Sequence, residues 1–259
     1  MKQIIKLLTL ALIFSINITN SYSQGANITD IDGNSYPTIV TNCSNQVWMQ
    51  KNLNVAKYRN GDVIPQVQDA TQWTNLTTGA WCYYNNDPIN GPIYGKLYNW
   101  YAVTDPRGLA PQGWHISTGA EWATLNTFLG GDVAANNKMM TTGSPWNPIN
   151  ANATNASGFS GLPGGVRSTS GSPYYRIGGY GYWWTADNGY RSIGSQEGFH
   201  GSTDIYRTYG FSVRCVKDEA APFQAPPIVT NGLLLNLDAA NPASYSGTGT
   251  TWNDLSGNN

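Results

Sequence analysis

The stretch GWHISTGAEWATL at residues 113–125 restricts the fold more than any other part of the sequence. Thr118 and Glu121 have the spacing of a capping box, in which the threonine oxygen accepts the third helical N–H and the glutamate accepts the N-cap N–H. Trp122 and Leu125 follow at helical spacing, and a pair of glycines ends the run. The segment therefore predicts a strand that leads into a capped amphipathic helix.

The composition is typical of a rigid, loop-rich extracellular module. The 259 residues include 29 Gly, 10 Trp and 16 Tyr, whereas only 11% are charged. Aromatic side chains bury a large area with little loss of entropy, which suits such modules. The net charge of −1 gives no electrostatic basis for binding nucleic acid or an anionic membrane.

The N-terminus predicts export. Lys2 and Lys6 precede an apolar stretch over residues 7–16, and Ser23 provides a small residue for cleavage. The apolar stretch is too short to span a bilayer, which takes about 20 apolar residues. We therefore predict a signal peptide over residues 1–23, and no membrane insertion after its removal.

Composition also divides the rest of the chain. A short lead at residues 24–35 precedes a main domain at 36–218, and a Pro-rich linker at 219–228 separates it from a terminal piece at 229–259. Within the main domain, residues 141–181 are rich in Gly, Ser, Asn and Pro, which predicts long loops on a scaffold.

Seven motifs occur in one order along the main domain. They are NQVWMQKNL (45–53), WCYYN (81–85), YGKLYNW (94–100), GWHISTGAEW (113–122), GFSGLPGG (158–165), YWW (182–184) and SVRCVKD (212–218). This series resembles the Fibrobacter succinogenes major paralogous domain family over roughly residues 36–218. The family occurs in secreted or surface proteins of Bacteroidetes-type and Fibrobacter-type bacteria. The resemblance therefore implies secretion or the outer surface of a Gram-negative bacterium, and it implies no established molecular function.

Two motifs, GWHISTGAEW (113–122) and GFSVRCV (210–216), also resemble a wider group. GWHISTGAEW is similar to the GWRLPTxxEW signature of formylglycine-generating and related sulfatase-modifying proteins, which have a variant of the C-type lectin fold. The second is similar to the closing GFR segment of that group. The resemblance implies an α+β, C-type lectin-like domain with two short helices, an irregular antiparallel β core, adjacent termini and long loops. The terminal piece resembles the truncated start of a concanavalin-A/laminin-G-like lectin domain, a jelly roll.

The three cysteines leave two alternatives open. Export permits a disulfide, and Cys43 and Cys215 lie near the two ends of the main domain. If those ends pair as adjacent strands, this bridge would stabilise the domain by about 4–5 kcal/mol on chain-entropy arguments. The alternative is three buried thiols. The family often has a partner cysteine before the GWH stretch, where this chain has Ala110, so the resemblance implies that Cys82 is unpaired.

The sequence contains little that predicts catalysis. His115 and His200 are too few for a histidine metal cluster, and no zinc-protease, nucleophile-elbow or P-loop motif occurs. Sulfatase-modifying enzymes bind copper through paired cysteines near the C-terminal segment, where this chain has only Cys215. The carboxylates available for a glycosidase pair are Glu121, Glu197, Asp187 and Asp204. Glu121 is already explained as a helix cap, so we predict no catalytic residues.

A calcium ion is the one candidate cofactor. A structural calcium ion takes oxygen ligands from loops. The candidate ligands for such an ion are Asp187, Asn188 and Asp204. We predict no other cofactor.

Tyr- and Arg-bearing loops form the best candidate binding surface. Tyrosine and arginine are frequent recognition residues, and flat rings also stack on the apolar C–H faces of sugars. The candidates are Tyr174, Tyr175, Arg176, Tyr180, Tyr190, Arg191, Tyr206 and Arg207. The alternative is that these rings pack the irregular core of the domain itself.

The function that these features favour is non-catalytic recognition. We predict a secreted or cell-surface module that binds glycans or another surface protein. The alternatives are a degenerate or unrecognised enzyme on a sulfatase-modifying scaffold, and a structural spacer of a surface protein. A glycan screen separates the first from the spacer.

Overall fold

The structure is a computed structural model with two compact units, Met1–Asp218 and Glu219–Asn259. It describes residues 23–41, 45–169, 173–195, 198–203 and 205–218, together with 237, 241, 243–244, 248 and 250–255. In the second unit, the Asn253 N–H donates to the Ser244 carbonyl at 2.7 Å. The predicted linker, nearly all of the predicted signal and most of the terminal piece lie outside the described residues.

The first unit mixes short helices with short strands. Its helices are α1 (Ala70–Thr74), α2 (Gly91–Tyr94), α3 (Trp100–Val103), α4 (Gly119–Leu129) and α5 (Asp132–Met139). Its strands are β1 (Ser23–Thr29), β2 (Ser35–Val40), β3 (Val47–Met49), β4 (Trp81–Cys82), β5 (Leu97–Tyr98), β6 (Trp114–Ile116), β7 (Gly164–Arg167), β8 (Tyr174–Ile177), β9 (Tyr180–Thr185), β10 (Gly189–Gly194), β11 (His200–Ser202) and β12 (Cys215–Lys217). The α+β class and the mainly antiparallel pairing that the sequence implied are confirmed.

Helix α4 begins at the predicted capping box. The Thr118 side chain accepts from the Glu121 N–H, and the Glu121 carboxylate accepts from the Thr118 N–H at 2.7 Å. The helix ends at Gly130, which has the left-handed conformation that glycine adopts readily. Because all of these signals are local in the sequence, the prediction of this helix is confirmed.

The first sheet brings the two ends of the domain together. Its strand order is β1-β2-β3-β12-β6, and all of its pairs are antiparallel. Val216 of β12 lies opposite Trp48 on one side and His115 on the other. Strand β1 begins at Ser23, the last residue of the predicted signal, and otherwise lies in the segment that the sequence indicated as a lead. It forms one edge of this sheet.

The second sheet positions the candidate site. Its order is β11-β10-β9-β7-β8, with β7 and β9 parallel and the other pairs antiparallel. Strands β7 and β8 lie inside residues 141–181, so the expectation of loops throughout that stretch is wrong there. Its glycines permit close strand contact, because a Cβ at Gly165 would lie 2.8 Å from the Tyr175 carbonyl oxygen.

Aromatic side chains fill the core. Trp122 of α4 packs against Trp48, Phe159 and Trp183, with ring centroids 4.9, 5.3 and 5.9 Å away. All four rings are buried. A search of the described residues for a helix of sufficient length and hydropathy to cross a bilayer found none.

Candidate binding site

The buried side chains form separate clusters: we call the one that includes Tyr98, Trp184 and Phe211 the first core, and the one around Trp48, Trp122 and Phe159 the second core. A pocket lined mainly by aromatic rings lies on the surface of the first core. We call it the aromatic pocket, and its volume is about 310 Å³. The residues that line it are Tyr175, Arg176, Tyr182, Tyr190, Ser202, Ile205, Tyr206, Tyr209 and Phe211. Strands β8, β9, β10 and β11 and the segment that leads into β12 contribute these side chains. The site is therefore assembled from residues that are distant in the sequence.

Strand alternation directs the residues of β9. Successive side chains of a strand point to opposite faces of its sheet. Tyr182 and Trp184 accordingly pack with the first core, whereas Trp183 between them packs in the second. The same alternation brings Tyr190 of β10 to the pocket, where its ring lies 5.6 Å from that of Tyr182.

A left-handed residue interrupts the alternation of β8. Arg176 has φ of 67°, a conformation that non-glycine residues rarely adopt, and the neighbouring strand has Gly165 at φ of 66°. Regular pairing continues on both sides, since Gly164 lies opposite Ile177 and Val166 lies opposite Tyr175. The consecutive residues Tyr175 and Arg176 consequently both line the pocket.

The rings at this site form a continuous series that we call the aromatic row. Its members, in spatial order, are Tyr180, Tyr182, Phe211, Tyr209 and Tyr206. Successive ring centroids lie 5.5–6.0 Å apart, and the ring planes are tilted by only 16–28°. This is offset stacking, in which each ring covers only part of the next one. The Arg176 guanidinium lies 4.5 Å from the centroid of the Tyr180 ring.

Two phenols of the pocket, Tyr175 and Tyr182, are neutral hydrogen-bonding groups near neutral pH. Burial raises the pKa of Tyr182. Burial, followed by the charge and hydrogen bond of Tyr209, raises the pKa of Tyr175. A neutral phenol both donates and accepts hydrogen bonds. The pocket thus combines apolar ring faces with hydroxyl groups, and Arg176 is the charged side chain among its described lining residues.

The structure brings some of the predicted residues together. Tyr175, Arg176, Tyr190 and Tyr206 line the pocket, and Tyr180 extends the aromatic row. Tyr174 lies elsewhere, because its hydroxyl donates to Asn86 Oδ1 at 2.7 Å and its ring packs 5.2 Å from that of Tyr84.

The two remaining candidates also lie outside the pocket lining. Arg191 donates from Nη1 to the carbonyl of Tyr190, and its charge acts on Asp187. Arg207 is exposed, and its carbonyl accepts the Trp100 N–H at 2.9 Å. Neither arginine contributes to the pocket as the structure places it.

Several pocket residues were missing from the sequence-based set. They are Tyr182, Ser202, Ile205, Tyr209 and Phe211. Tyr182 and Tyr180 share a strand face, so the two-residue period could have added Tyr182. Phe211 is placed in the pocket by its backbone pairing with Tyr98, which is distant in the sequence. Each of the two residues donates its N–H to the other's carbonyl. No local pattern predicts such a pair.

The motif residues meet at a different place, around Asn52. Its Nδ2 donates to the Tyr94 carbonyl at 2.8 Å and to Ser212 Oγ at 3.1 Å. Its Oδ1 accepts from Trp183 Nε1 at 2.8 Å and from Arg214 Nε at 2.7 Å. One buried amide therefore joins four of the seven motifs.

Arg214 adds a further motif to this network. It is fully buried, and its guanidinium donates to the carbonyls of Met49, Phe159 and Ser160 at 2.9, 2.6 and 3.1 Å. It also lies 4.3 Å from the centroid of the Phe159 ring. Burial lowers the pKa of Arg214 to about 9. The motifs thus specify a buried polar network that holds the fold together.

Comparison with known families agrees with this arrangement. The sequence matches the Fibrobacter succinogenes major domain over residues 42–217, which include the Asn52 network. The chain belongs to this family. Searches of curated proteins and of solved structures found no match.

Asp187, one of the calcium candidates of this major domain, has a structural contact. Asp187 accepts the Gly119 N–H at 3.0 Å, at the start of α4. Although burial opposes ionisation, hydrogen bonds from Thr185 and Gly119 lower the pKa of Asp187. Asn188 has φ of 63° in the β9–β10 turn. Asp204 lies outside the described residues, so calcium binding stays a prediction; within the described residues, no three His, Cys, Asp or Glu side chains cluster as a metal site.

His115 of the major domain is held between two carboxylates. Its Nδ1 lies 2.8 Å from Asp218 Oδ1, and its Nε2 lies 2.8 Å from Glu121 Oε1. The hydrogen bond with Glu121 is the largest of the effects that raise the pKa of His115 to about 9. Glu121 is thereby occupied by the helix cap and by His115, as expected of a structural residue. Glu197, the other glutamate considered for a glycosidase pair, lies outside the described residues.

We expect this arrangement to make stability depend on pH. The pKa of His115 rises from about 6.5 in the unfolded chain to about 9 in the folded domain. Its contribution is therefore complete below pH 6.5 and disappears as pH rises through 9. Because the side chain is 37% exposed, solvent screening limits this contribution to about 1 kcal/mol.

Urea unfolding at several pH values measures this effect. The His115→Gln variant should lose the decline in stability between pH 6.5 and 9, whereas His200→Gln should retain it. An unchanged pH profile for His115→Gln would show that the two ion pairs do not stabilise the fold.

The described cysteines lie apart. Cys82 and Cys215 are free, buried thiols that belong to different core clusters. Burial raises the pKa of both thiols. These two residues therefore do not form a paired-thiol copper site. Cys43 lies outside the described residues, so its pairing with Cys215 gains no support and stays a prediction.

Proposed function

We propose that this major domain is an exported, non-catalytic recognition module that binds glycans at the aromatic pocket. The observation that carries the proposal is the concave cluster of tyrosine rings and hydroxyls. Aromatic faces contact the apolar C–H faces of sugar rings, while phenols, Ser202 and Arg176 provide hydrogen-bond partners for sugar hydroxyls. Small-ligand sites typically combine apolar walls with a few polar groups in this way.

The size of the pocket favours a small ligand, such as part of a glycan, over the surface of a protein partner. Its volume of about 310 Å³ lies at the lower end of the range for ligand pockets, about 300–1,000 Å³. A stable protein interface instead buries about 800 Å² on each partner. A surface protein remains the alternative partner, and the screen below includes it.

Three expectations from the sequence support an exported recognition role. The signal-like N-terminus supports secretion or display on the outer surface of a Gram-negative bacterium. The consecutive helices α4 and α5, together with the pairing of β12 with β3 and β6, are consistent with a C-type lectin-like fold. A terminal lectin-like module would fit the same role.

A glycan array tests the proposal, with a matched pair of variants in β8. Tyr175 and Ile177 are 37% and 38% exposed, but only Tyr175 lines the pocket. We expect the wild type to bind a subset of glycans and Tyr175→Ala to weaken that binding by about tenfold. The Ile177→Ala variant should bind like the wild type.

Three other outcomes would overturn the proposal. No binding to plant, host or bacterial glycans would contradict glycan recognition. Equal binding by Tyr175→Ala would place the site elsewhere. Capture of a surface protein by the wild type, lost in Tyr175→Ala, would replace the glycan with a protein partner.

A further inference from the structure

We propose that Lys96 and Asn54 form an intramolecular isopeptide bond, which joins their side chains in the folded domain. The two residues lie on paired segments, because the Lys96 N–H donates to the Leu53 carbonyl at 3.1 Å. The basis of the proposal is the position of a buried lysine amine against a side-chain amide. The bond does not depend on glycan binding at the aromatic pocket.

The Lys96 side chain carries its charge into an aromatic part of the core. The residue is only 5% exposed, and its Nζ lies 4.5 and 5.3 Å from the ring centroids of Trp81 and Tyr83. None of the ion pairs among the described residues includes Lys96. A buried charge that lacks a paired counter-charge is destabilising. Conversion of the amine into an amide removes this charge.

The two carboxylates whose charges act on Lys96 are engaged elsewhere. Asp32 pairs with Lys57 Nζ at 3.2 Å, and Asp30 accepts the Tyr36 hydroxyl at 2.5 Å. Because burial outweighs the attraction of these charges, it lowers the pKa of Lys96 to about 8. A larger fraction of this amine is therefore neutral near neutral pH than in an exposed lysine, and a neutral amine is a nucleophile.

The side-chain amide of Asn54 provides the electrophilic carbon. Lys96 Nζ donates to Asn54 Oδ1 at 3.0 Å and also to the Asn54 backbone carbonyl. A C=O bond is about 1.2 Å long, so Cγ lies within about 4.2 Å of Nζ. The Asn54 backbone is held from another side, since its N–H donates to Tyr36 Oη at 3.0 Å and its carbonyl accepts from Asn34 Nδ2 at 3.3 Å. Rotation of one side chain brings the reacting atoms into contact.

The reaction exchanges one amide nitrogen for another. The lone pair of the neutral Lys96 amine attacks Asn54 Cγ, and the Nζ–Cγ bond forms. The Cγ–Nδ2 bond breaks, a proton passes from Nζ to Nδ2, and ammonia leaves. Asn54 lines a surface pocket of about 350 Å³, which gives the ammonia a route to solvent. The atoms and electrons balance without a further reactant.

Intact-mass spectrometry of the purified full chain tests the proposal. We expect a mass below that of the amino-acid sequence by one molecule of ammonia. Trypsin should fail to cleave after Lys96, and the peptides 52–57 and 60–107 should be recovered as one cross-linked species. Lys96→Met and Asn54→Ala should each remove the mass deficit. Lys51→Met should retain it, since Lys51 is an exposed lysine of the same region.

Two results would overturn the isopeptide bond. One is the full sequence mass together with tryptic cleavage after Lys96. The other is a mass deficit that persists in Lys96→Met, because it would come from a different loss of ammonia, such as cyclisation of an N-terminal glutamine. The mass and peptide map of the wild type decide the question even if a variant does not fold. Glycan binding is measured separately, so failure of either proposal leaves the other standing.

Discussion

Replacement of Arg214 by methionine should lower the free energy of unfolding by about 3–5 kcal/mol. Methionine fills much of the same space, so the loss comes mainly from hydrogen bonds. The carbonyls of Met49, Phe159 and Ser160 each lose a donor inside the core. A buried acceptor without a partner is destabilising by about 1–3 kcal/mol.

Urea unfolding of purified variants measures this loss. The control is Arg207→Met, since Arg207 is exposed and should change stability by no more than about 0.5 kcal/mol. Wild-type stability in Arg214→Met would show that apolar packing alone holds these segments together. If the variant does not accumulate as folded protein, Arg214→Lys retains the charge and part of the hydrogen bonding. An intermediate stability for that variant would support the same network.

The buried network around Arg214 and the aromatic pocket draw on largely different residues. The motif residues Asn52 and Arg214 are occupied in the buried network. The pocket shares Tyr182 with the motifs, whereas Tyr175, Tyr206 and Tyr209 lie outside them.

The parts of the structure that follow from local chemistry were predictable from the sequence. The cap of α4 depends on residues three apart, so the spacing of Thr118 and Glu121 was sufficient. The capping role expected for Glu121 also agrees with its hydrogen bonds to the Thr118 N–H and to His115. Composition alone located much of the tyrosine-rich surface.

The rest depends on contacts between distant segments. Tyr174 and Tyr175 are adjacent and chemically identical, yet one packs against Tyr84 and the other lines the pocket. The direction of each side chain depends on the register of β8 against β7, which no local pattern specifies. The left-handed conformation of Arg176 also depends on this pairing. The sequence does not predict it, since residue 176 is not a glycine.

Replacement of Gly165 by alanine tests whether that local distortion builds the pocket. The new Cβ would lie 2.6 Å from Tyr84 Cε2 and 2.8 Å from both the Ile177 nitrogen and the Tyr175 carbonyl oxygen. The left-handed φ of Gly165 adds strain for any residue with a Cβ. We expect a loss of about 2–4 kcal/mol in the free energy of unfolding. Glycan affinity should also fall, since β8 has to move away from β7.

The Gly33→Ala variant isolates strain from crowding in this experiment. Gly33 also has a positive φ, +85°, but a Cβ there meets nothing within 4 Å. This variant should lose only about 1 kcal/mol and should bind glycans like the wild type. Equal stability of the two variants would show that the crowding around a Cβ at position 165 does not lower the free energy of unfolding. Full affinity in a destabilised Gly165→Ala variant would show that the β7–β8 distortion does not position Tyr175 and Arg176 for the ligand.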